Sequence, residues 1–244
     1  MCMFSGRQPA LHVSKTRIFA RVERTHQCLI YSMQLASSEE VAMILPVPVI
    51  ANAPEDAMSF VDLSGYPALF DELALLFAPP PARLAPQSRS FSPELSAKTL
   101  VVHEVGAFGA SFVPRLADFT RLDPRFRLPE TVWSAMPQYA DWGFAVFQLA
   151  KGDTKIHPMA FHFPTREPSR VFFPTVHVHD GSVHEHAEFD HELYWQDSSA
   201  PSIDAVSHTP ASTLLTERSK GFIQSGLARR RIMRGIYENA DVRI

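Results

Sequence analysis

Residues 174–191 read PTVHVHDGSVHEHAEFDH, five histidines in eighteen positions. Asp180-Gly181 at the centre is a two-residue turn signal, because a type I′ turn needs positive φ at both central positions. The flanks, FFPTVHVH and SVHEHAEF, each have the β-branched and aromatic content of a strand. A two-residue loop then fixes the register of a hairpin. His179 opposes Ser182, Val178 opposes Val183, His177 opposes His184 and Thr175 opposes His186. Directly opposed side chains share a face. His177, His179, His184 and His186 are therefore expected on one face, with Glu188 and Asp190 farther along it. Val176, Val178, Val183, Ala187 and Phe189 fall on the other, with Glu185 discordant and His191 off the polar side.

That polar face suits a divalent transition metal. Cross-strand Cβ atoms lie about 4.5–5.5 Å apart, and imidazole binds zinc at about 2.0–2.1 Å. Rings from His177 and His184 reach one ion, with His179 or His186 as a third ligand and a carboxylate of Glu188 or Asp190 completing the set. Fe, Cu, Zn, Mn and Ni all accept such donors. Paired His-x-His strands with a carboxylate resemble the ligand supply of cupin barrels, although the glycine-framed cupin motifs are absent here. A site with an open position activates water or oxygen, so a metal-dependent hydrolase or oxidoreductase acting on a small molecule is the implied enzyme class. The competing reading is a non-catalytic binding module, because one apolar and one solvated face describe any antiparallel sheet edge.

Working outward, the chain of 244 residues carries 45% hydrophobic and 20% charged residues, as ordinary globular domains do. It is long enough to fold without metal or disulfide staples. A net charge of −3 gives no global attraction to nucleic acid or anionic lipid. Cys2 and Cys28 form no disulfide framework and no CxxC pair. The longest apolar run, residues 41–51, is interrupted by Pro46 and Pro48 and is too short to span a bilayer. A cytoplasmic protein with no membrane contact is expected.

Residues 16–22, 28–35 and 41–46 read as strands, the last apolar on both faces like a central buried strand. Pro46 and Pro48 must end its pairing or place it at an edge. A pair of short helices is expected from Asn52 to Leu76, broken at Gly65-Tyr66-Pro67. The Pro/Ser-rich residues 78–96 read as a long loop within one domain spanning 1–244. Strand signal resumes over 98–113, short helices follow at 115–122 and 129–139, and strands at 144–149, 155–163 and 170–179. Thr209-Pro210 opens a C-terminal helix of about twenty residues, with the basic run at 228–234 as its solvated end. The sum is an α+β fold: mainly antiparallel sheet with hairpins, several short helices and a C-terminal helix.

Cys2, the strand begun by Thr16-Arg17-Ile18-Phe19, and the strand Ala42-Met-Ile-Leu-Pro-Val-Pro-Val carry a family resemblance. They resemble a bacterial group that pairs a near-N-terminal cysteine with a strand ending in LPVP. No activity is established for that group, so the resemblance only draws attention to Cys2. With Met1 removed, the Cys2 α-amino group becomes a base for its own thiol. That start is similar to the N-terminal-nucleophile amidohydrolases, whose glycine and asparagine motifs are not found here. Met1, Cys2 and Met3 also make a soft sulfur set for Cu(I). His157 and His162, five apart on one strand, face opposite ways, and His103-Glu104 lacks the second histidine of a zinc-protease helix.

Overall fold

The computed structural model describes residues 3–5, 11–79, 103–105, 108–196 and 204–244, with the side chains of 103–105, 153 and 154 not described. In chain order, the first strands are β1 (Met3–Phe4), β2 (His12–Glu23), β3 (His26–Ser37), β4 (Val41–Val47) and β5 (Ser59–Asp62). Helix α1 (Leu69–Leu75) leads to β6 (His103–Val105), β7 (Phe108–Val113), helix α2 (Glu130–Ser134) and β8 (Gly143–Leu149). Then come β9 (Gly152–Lys155), β10 (Met159–Pro164), β11 (Phe172–Phe173) and β12 (His186–Trp195). The chain closes with β13 (Ala205–Val206), helix α3 (Thr213–Arg218), β14 (Arg229–Glu238) and β15 (Val242–Arg243).

Strand alternation explains how these elements stack. One sheet runs β1-β4-β8-β7-β6 and a larger one runs β13-β14-β12-β2-β3-β10-β5, with β9 also on β3. In β4, Met43, Leu45 and Val47 point into the core between the two sheets, while Ala42 and Ile44 point to a second core outside. Successive side chains of a strand face opposite ways, so a strand covered on both sides must be apolar throughout. That is why β4 is buried along its whole length. The second core is roofed by short helical turns around Phe119, Val132 and Tyr139. The outer face of the larger sheet is roofed by α1 and α3, which cover Phe19, Ile30, Ala160 and Tyr194.

The architecture is β-rich and mainly antiparallel, with few and short helices. Among the described strands β12 pairs with β2 in parallel, and an isolated parallel bridge joins Met3 to Val178. Pro46 pairs in register with Phe144 of β8, at a level where β1, paired only at Met43 and Ile44, no longer flanks β4. Ser5 N–H donates to Ala42 O, so by alternation the Pro46 nitrogen also points away from β8, and its missing N–H removes no bond of the β4–β8 pairing.

Three expectations are corrected. The first of the two helices after Asn52 is absent: residues 59–62 instead form β5, an edge strand on β10. The C-terminal helix is confined to α3, whose Ser212 side chain caps Leu215 N–H at 3.2 Å. Lys220 and Gly221, at φ 53° and 82°, end it in the left-handed conformation that stops helices. The basic run beyond is therefore not a helix end but β14, paired with β12 over ten residues.

The histidine hairpin is the third. Of the strand expected at 170–179 only Phe172–Phe173 is β11, and it pairs with β15. Gly181 has φ 77° but Asp180 does not take positive φ, so the turn is not type I′ and does not fold the two flanks together. Asp180 instead spends its carboxylate locally, accepting from Ser182 N–H at 2.9 Å and meeting the His184 ring at 2.9 Å. The downstream flank gains ten paired residues by joining β14, more than the short hairpin offers.

Candidate functional site

Segment 174–179, though unpaired as a strand, is held in place by side chains of the turn between β14 and β15. Asp241 Oδ1 accepts from Thr175 N–H at 2.9 Å and from Val176 N–H at 3.1 Å. Asn239 Oδ1 accepts from His177 N–H at 2.6 Å. Its amide nitrogen donates to the carbonyls of His177 and His184, both at 2.9 Å. On the other side, Phe4 N–H donates to Val178 O at 2.9 Å. The extended segment keeps the alternation expected of it. Val176 and Val178 enter the outer core, and His177 and His179 face the opposite way.

There the rings form a column. His177 stacks on His179 with centroids 5.6 Å apart, on His191 at 5.2 Å and on Phe189 at 4.4 Å. Phe4 meets His179 edge-on at 5.6 Å. His177 and His191 are buried, and His177 Nε2 has no hydrogen-bond partner among the described residues. Burial drives the His177 pKa well down, so the ring is neutral.

A break in the larger sheet opens toward this column. β2 and β12 pair from Thr16 and His191 to Ala20 and Trp195, but β2 bulges between Ser14 and Arg17. Lys15 at the bulge has φ 52°, a strained value for a residue with a side chain. Its N–H donates to Asp190 Oδ2 at 2.8 Å rather than to a strand partner. Bulges re-aim chains and end pairing. Beyond this one lies a cleft of about 400 Å³ whose lining includes His12, Ser14, His179, Glu188, Asp190 and Arg234.

The six residues expected to share one face are thus separated. His179, Glu188 and Asp190 line the cleft, and His177 lies buried behind His179. His184 and His186 are exposed, on a stretch that does not fold back over His177. Glu188 and Asp190 alternate with Phe189 and His191 along β12, so the carboxylates and the His191 ring take opposite faces of the sheet. His191, set aside by the hairpin register, joins the column because the paired partner is β2 and not segment 174–179. The signal that marks it in the sequence is the spacing Phe189, His191, Leu193, Trp195, one continuous inward face. No three His, Cys, Asp or Glu side chains among the described residues converge on a common point.

Elsewhere, His162 packs against Phe222 with centroids 6.4 Å apart and His157 stacks on Phe108 at 4.3 Å. Both lie outside the column. Cys2 lies outside the described residues, as do residues 80–96 of the expected Pro/Ser-rich loop. Cys28 is half-buried, and burial raises its thiol pKa, the behaviour of a packing residue and not of a nucleophile. No helix among the described residues is long and apolar enough to cross a membrane.

No protein-family model matches the chain, and no curated protein matches it. Among solved structures, baculovirus P35 is similar at 13% identity and a TM-score of 0.49, over 99% of this chain and 98% of that one. P35 from its complex with caspase-8 is similar at 12% identity and a TM-score of 0.44, over 94% and 95%. A mutated P35 after caspase cleavage gives 12% and 0.43, over 95% and 98%. At these values the similarity carries neither family nor activity to this chain.

Proposed function

We propose that the protein binds a divalent transition metal at the inner end of the cleft, through His177, His179 and His191. The carrying observation is the column itself. Three imidazoles drawn from two chain segments stand 5.2 and 5.6 Å apart, and the buried His177 Nε2 has no partner among the described residues. Imidazoles sharing one zinc ion have ring centres roughly 5 Å apart, given metal–nitrogen bonds of about 2.0–2.1 Å. The rings are stacked rather than converged, so binding requires them to turn about their side-chain bonds. Burial already holds His177 in the neutral form that metals need. A set of three neutral imidazoles suits Zn, Fe, Cu and Ni better than hard ions. With the cleft open on the His179 side, a fourth position is left to water or a small-molecule substrate, which makes metal-assisted hydrolysis or oxidation the reaction class.

Calorimetric titration of tag-free protein with Zn²⁺ and Co²⁺ tests this. One ion per chain is expected, with Co²⁺ developing the visible bands of a tetrahedral site. His177→Ala and His191→Ala each weaken binding by at least tenfold, whereas the double variant His184→Ala, His186→Ala leaves it unchanged. Loss of binding in that double variant, or no binding by the native chain, overturns the proposal.

The stacking favours a second reading, in which the cleft takes a small polar ligand with no metal. Ser14, Glu188, Asp190 and Arg234 of the cleft lining are then its polar contacts. Metal-indifferent protein in the same titration selects that reading.

A further inference from the structure

Thr16 is fully buried, yet its hydroxyl has no hydrogen-bond partner among the described residues. A buried polar group left unpaired is destabilising, and native proteins pair nearly all of them. Valine has almost the shape of threonine and carries no such group. An unsatisfied hydroxyl inside a packed sheet therefore points to a partner acquired in another state of the protein.

The bulge of β2 decides what surrounds it. Ser14 pairs with Gln34 and Arg17 with Ser32, so Lys15 and Thr16 together stand against Met33 alone on β3. Met33 is buried and offers only a thioether, a weak acceptor. On the other side, Thr16 stands in parallel register with His191 of β12. Ile18 and Leu193, two residues farther along each strand, both lie in the inter-sheet core. Alternation turns Thr16 and His191 to that same inner face. Neighbouring strands lie about 4.7–4.9 Å apart, so the hydroxyl stands beside the His191 ring. His191 is the fully buried member of the column, whereas His179 lines the cleft.

We infer that Thr16 is a positioning residue of the metal centre proposed above, its hydroxyl accepting the ring N–H of His191 when that ring turns to bind the ion. The inference rests on the metal reading. An imidazole that gives one nitrogen to a metal keeps its hydrogen on the other, and that N–H is met by an acceptor in almost every metal site. In the metal-free column His191 lies against His177 at 19° between planes, a stacked arrangement that leaves the hydroxyl unused. Once engaged, Thr16 holds His191 to one tautomer and one orientation and makes it a better donor to the ion. The strained Lys15, at φ 52°, gains a purpose: the bulge it forms sets a hydroxyl beside His191 with no competing partner on β3.

Thr16→Val removes the hydroxyl and keeps the shape. Without metal, the variant should unfold at a urea concentration equal to or above that of the native chain. Its Zn²⁺ affinity by calorimetry should fall ten- to a hundredfold, roughly the effect of removing a ligand's outer hydrogen-bond partner, and Thr16→Ser should recover most of it. In Zn²⁺-loaded protein carrying ¹⁵N-histidine, the His191 ring N–H proton should resonate downfield in the native and serine chains and move upfield in the valine variant. A metal-free valine variant less stable than the native chain overturns the inference, because the hydroxyl then has a partner already. So does unchanged Zn²⁺ affinity, an affinity that serine fails to restore, or an unmoved His191 signal; in each of these the native chain still binds, and the metal reading stands without Thr16. A native chain that binds no metal overturns both.

Discussion

Asp241→Ala is expected to lower stability by roughly 3 kcal/mol, the low end for three donors left unpaired in a partly buried site. The partly buried carboxylate receives three donors: Thr175 N–H and Val176 N–H on one oxygen, and the Tyr139 hydroxyl at 2.6 Å on the other. Alanine leaves all three without a partner, each a penalty of about 1–3 kcal/mol. Because Thr175 and Val176 belong to the segment that carries His177, hydrogen exchange at residues 175–177 should quicken before the sheets open. Loss of less than about 1 kcal/mol in urea unfolding, the low end for a single unpaired buried group, sinks the account of Asp241 as the clamp.

Asp241→Asn separates the clamp from its charge. Burial outweighs the donors and pushes the Asp241 pKa up to about 6, with Tyr139, Thr175, Val176 and Arg243 pulling the other way. A carboxyl whose folded pKa is raised contributes its stability below the unfolded value, near 4, and loses it as pH climbs through about 6. The asparagine amide still accepts from Thr175 and Val176 and is never charged. Relative to the native chain, the variant should therefore gain on the order of 2–3 kcal/mol between about pH 4 and pH 7.5. A constant difference across that range means that Asp241 keeps its ordinary affinity for protons. The exposed acids with lowered pKa, such as Glu23 beside Arg21, act alike in both proteins and cancel.

These residues also show how much of the fold is legible in the sequence. The runs 16–22, 28–35 and 144–149 are visible as strands because they are dense in β-branched, aromatic and aliphatic residues, which suits strands covered on both faces. The alternation of Val176 and Val178 against His177 and His179 is equally visible, and it holds. The pairing of the chain beyond Asp180-Gly181 is not. The sequence shows a turn signal and two suitable flanks, but the choice of partner rests on β14, some fifty residues downstream, and on Asn239 and Asp241, whose side chains replace a pairing strand. Nothing local to 174–191 encodes those contacts. The same competition hides the role of Arg229–Glu238: three successive arginines read as a solvated helix end until Met233 is seen buried toward the core. Long-range pairing overrides local signal most easily where the signal is short. The hairpin register sets His191 on the face of Phe189, where it lies, but sets His177 on the opposite face, so the meeting of the two rings is hidden for that reason alone.

Phe147→Ala is expected to cost about 3–5 kcal/mol, the range for truncating a large aromatic side chain in a packed core. Phe147 is fully buried on β8, and its ring meets Phe60 at 5.6 Å, Phe161 at 5.8 Å and Phe108 at 5.7 Å. Phe60 and Phe161 belong to the larger sheet, on β5 and β10, so this one side chain ties the two sheets together. Its edge-on contacts with Phe60 and Phe108 lie close to perpendicular, at 88° and 87°, a favoured geometry for aromatic pairs. Removing the ring leaves a cavity that no flexible surface chain can fill. Phe147→Leu, which keeps most of the volume, should cost well under half as much, about 1–1.5 kcal/mol. Exposed Ile236 of β14, by contrast, should stay within about 0.5 kcal/mol of the native chain when changed to alanine. If the leucine and alanine variants unfold at the same urea concentration, the loss is not one of packing volume, and the sheets are held by something other than this cluster.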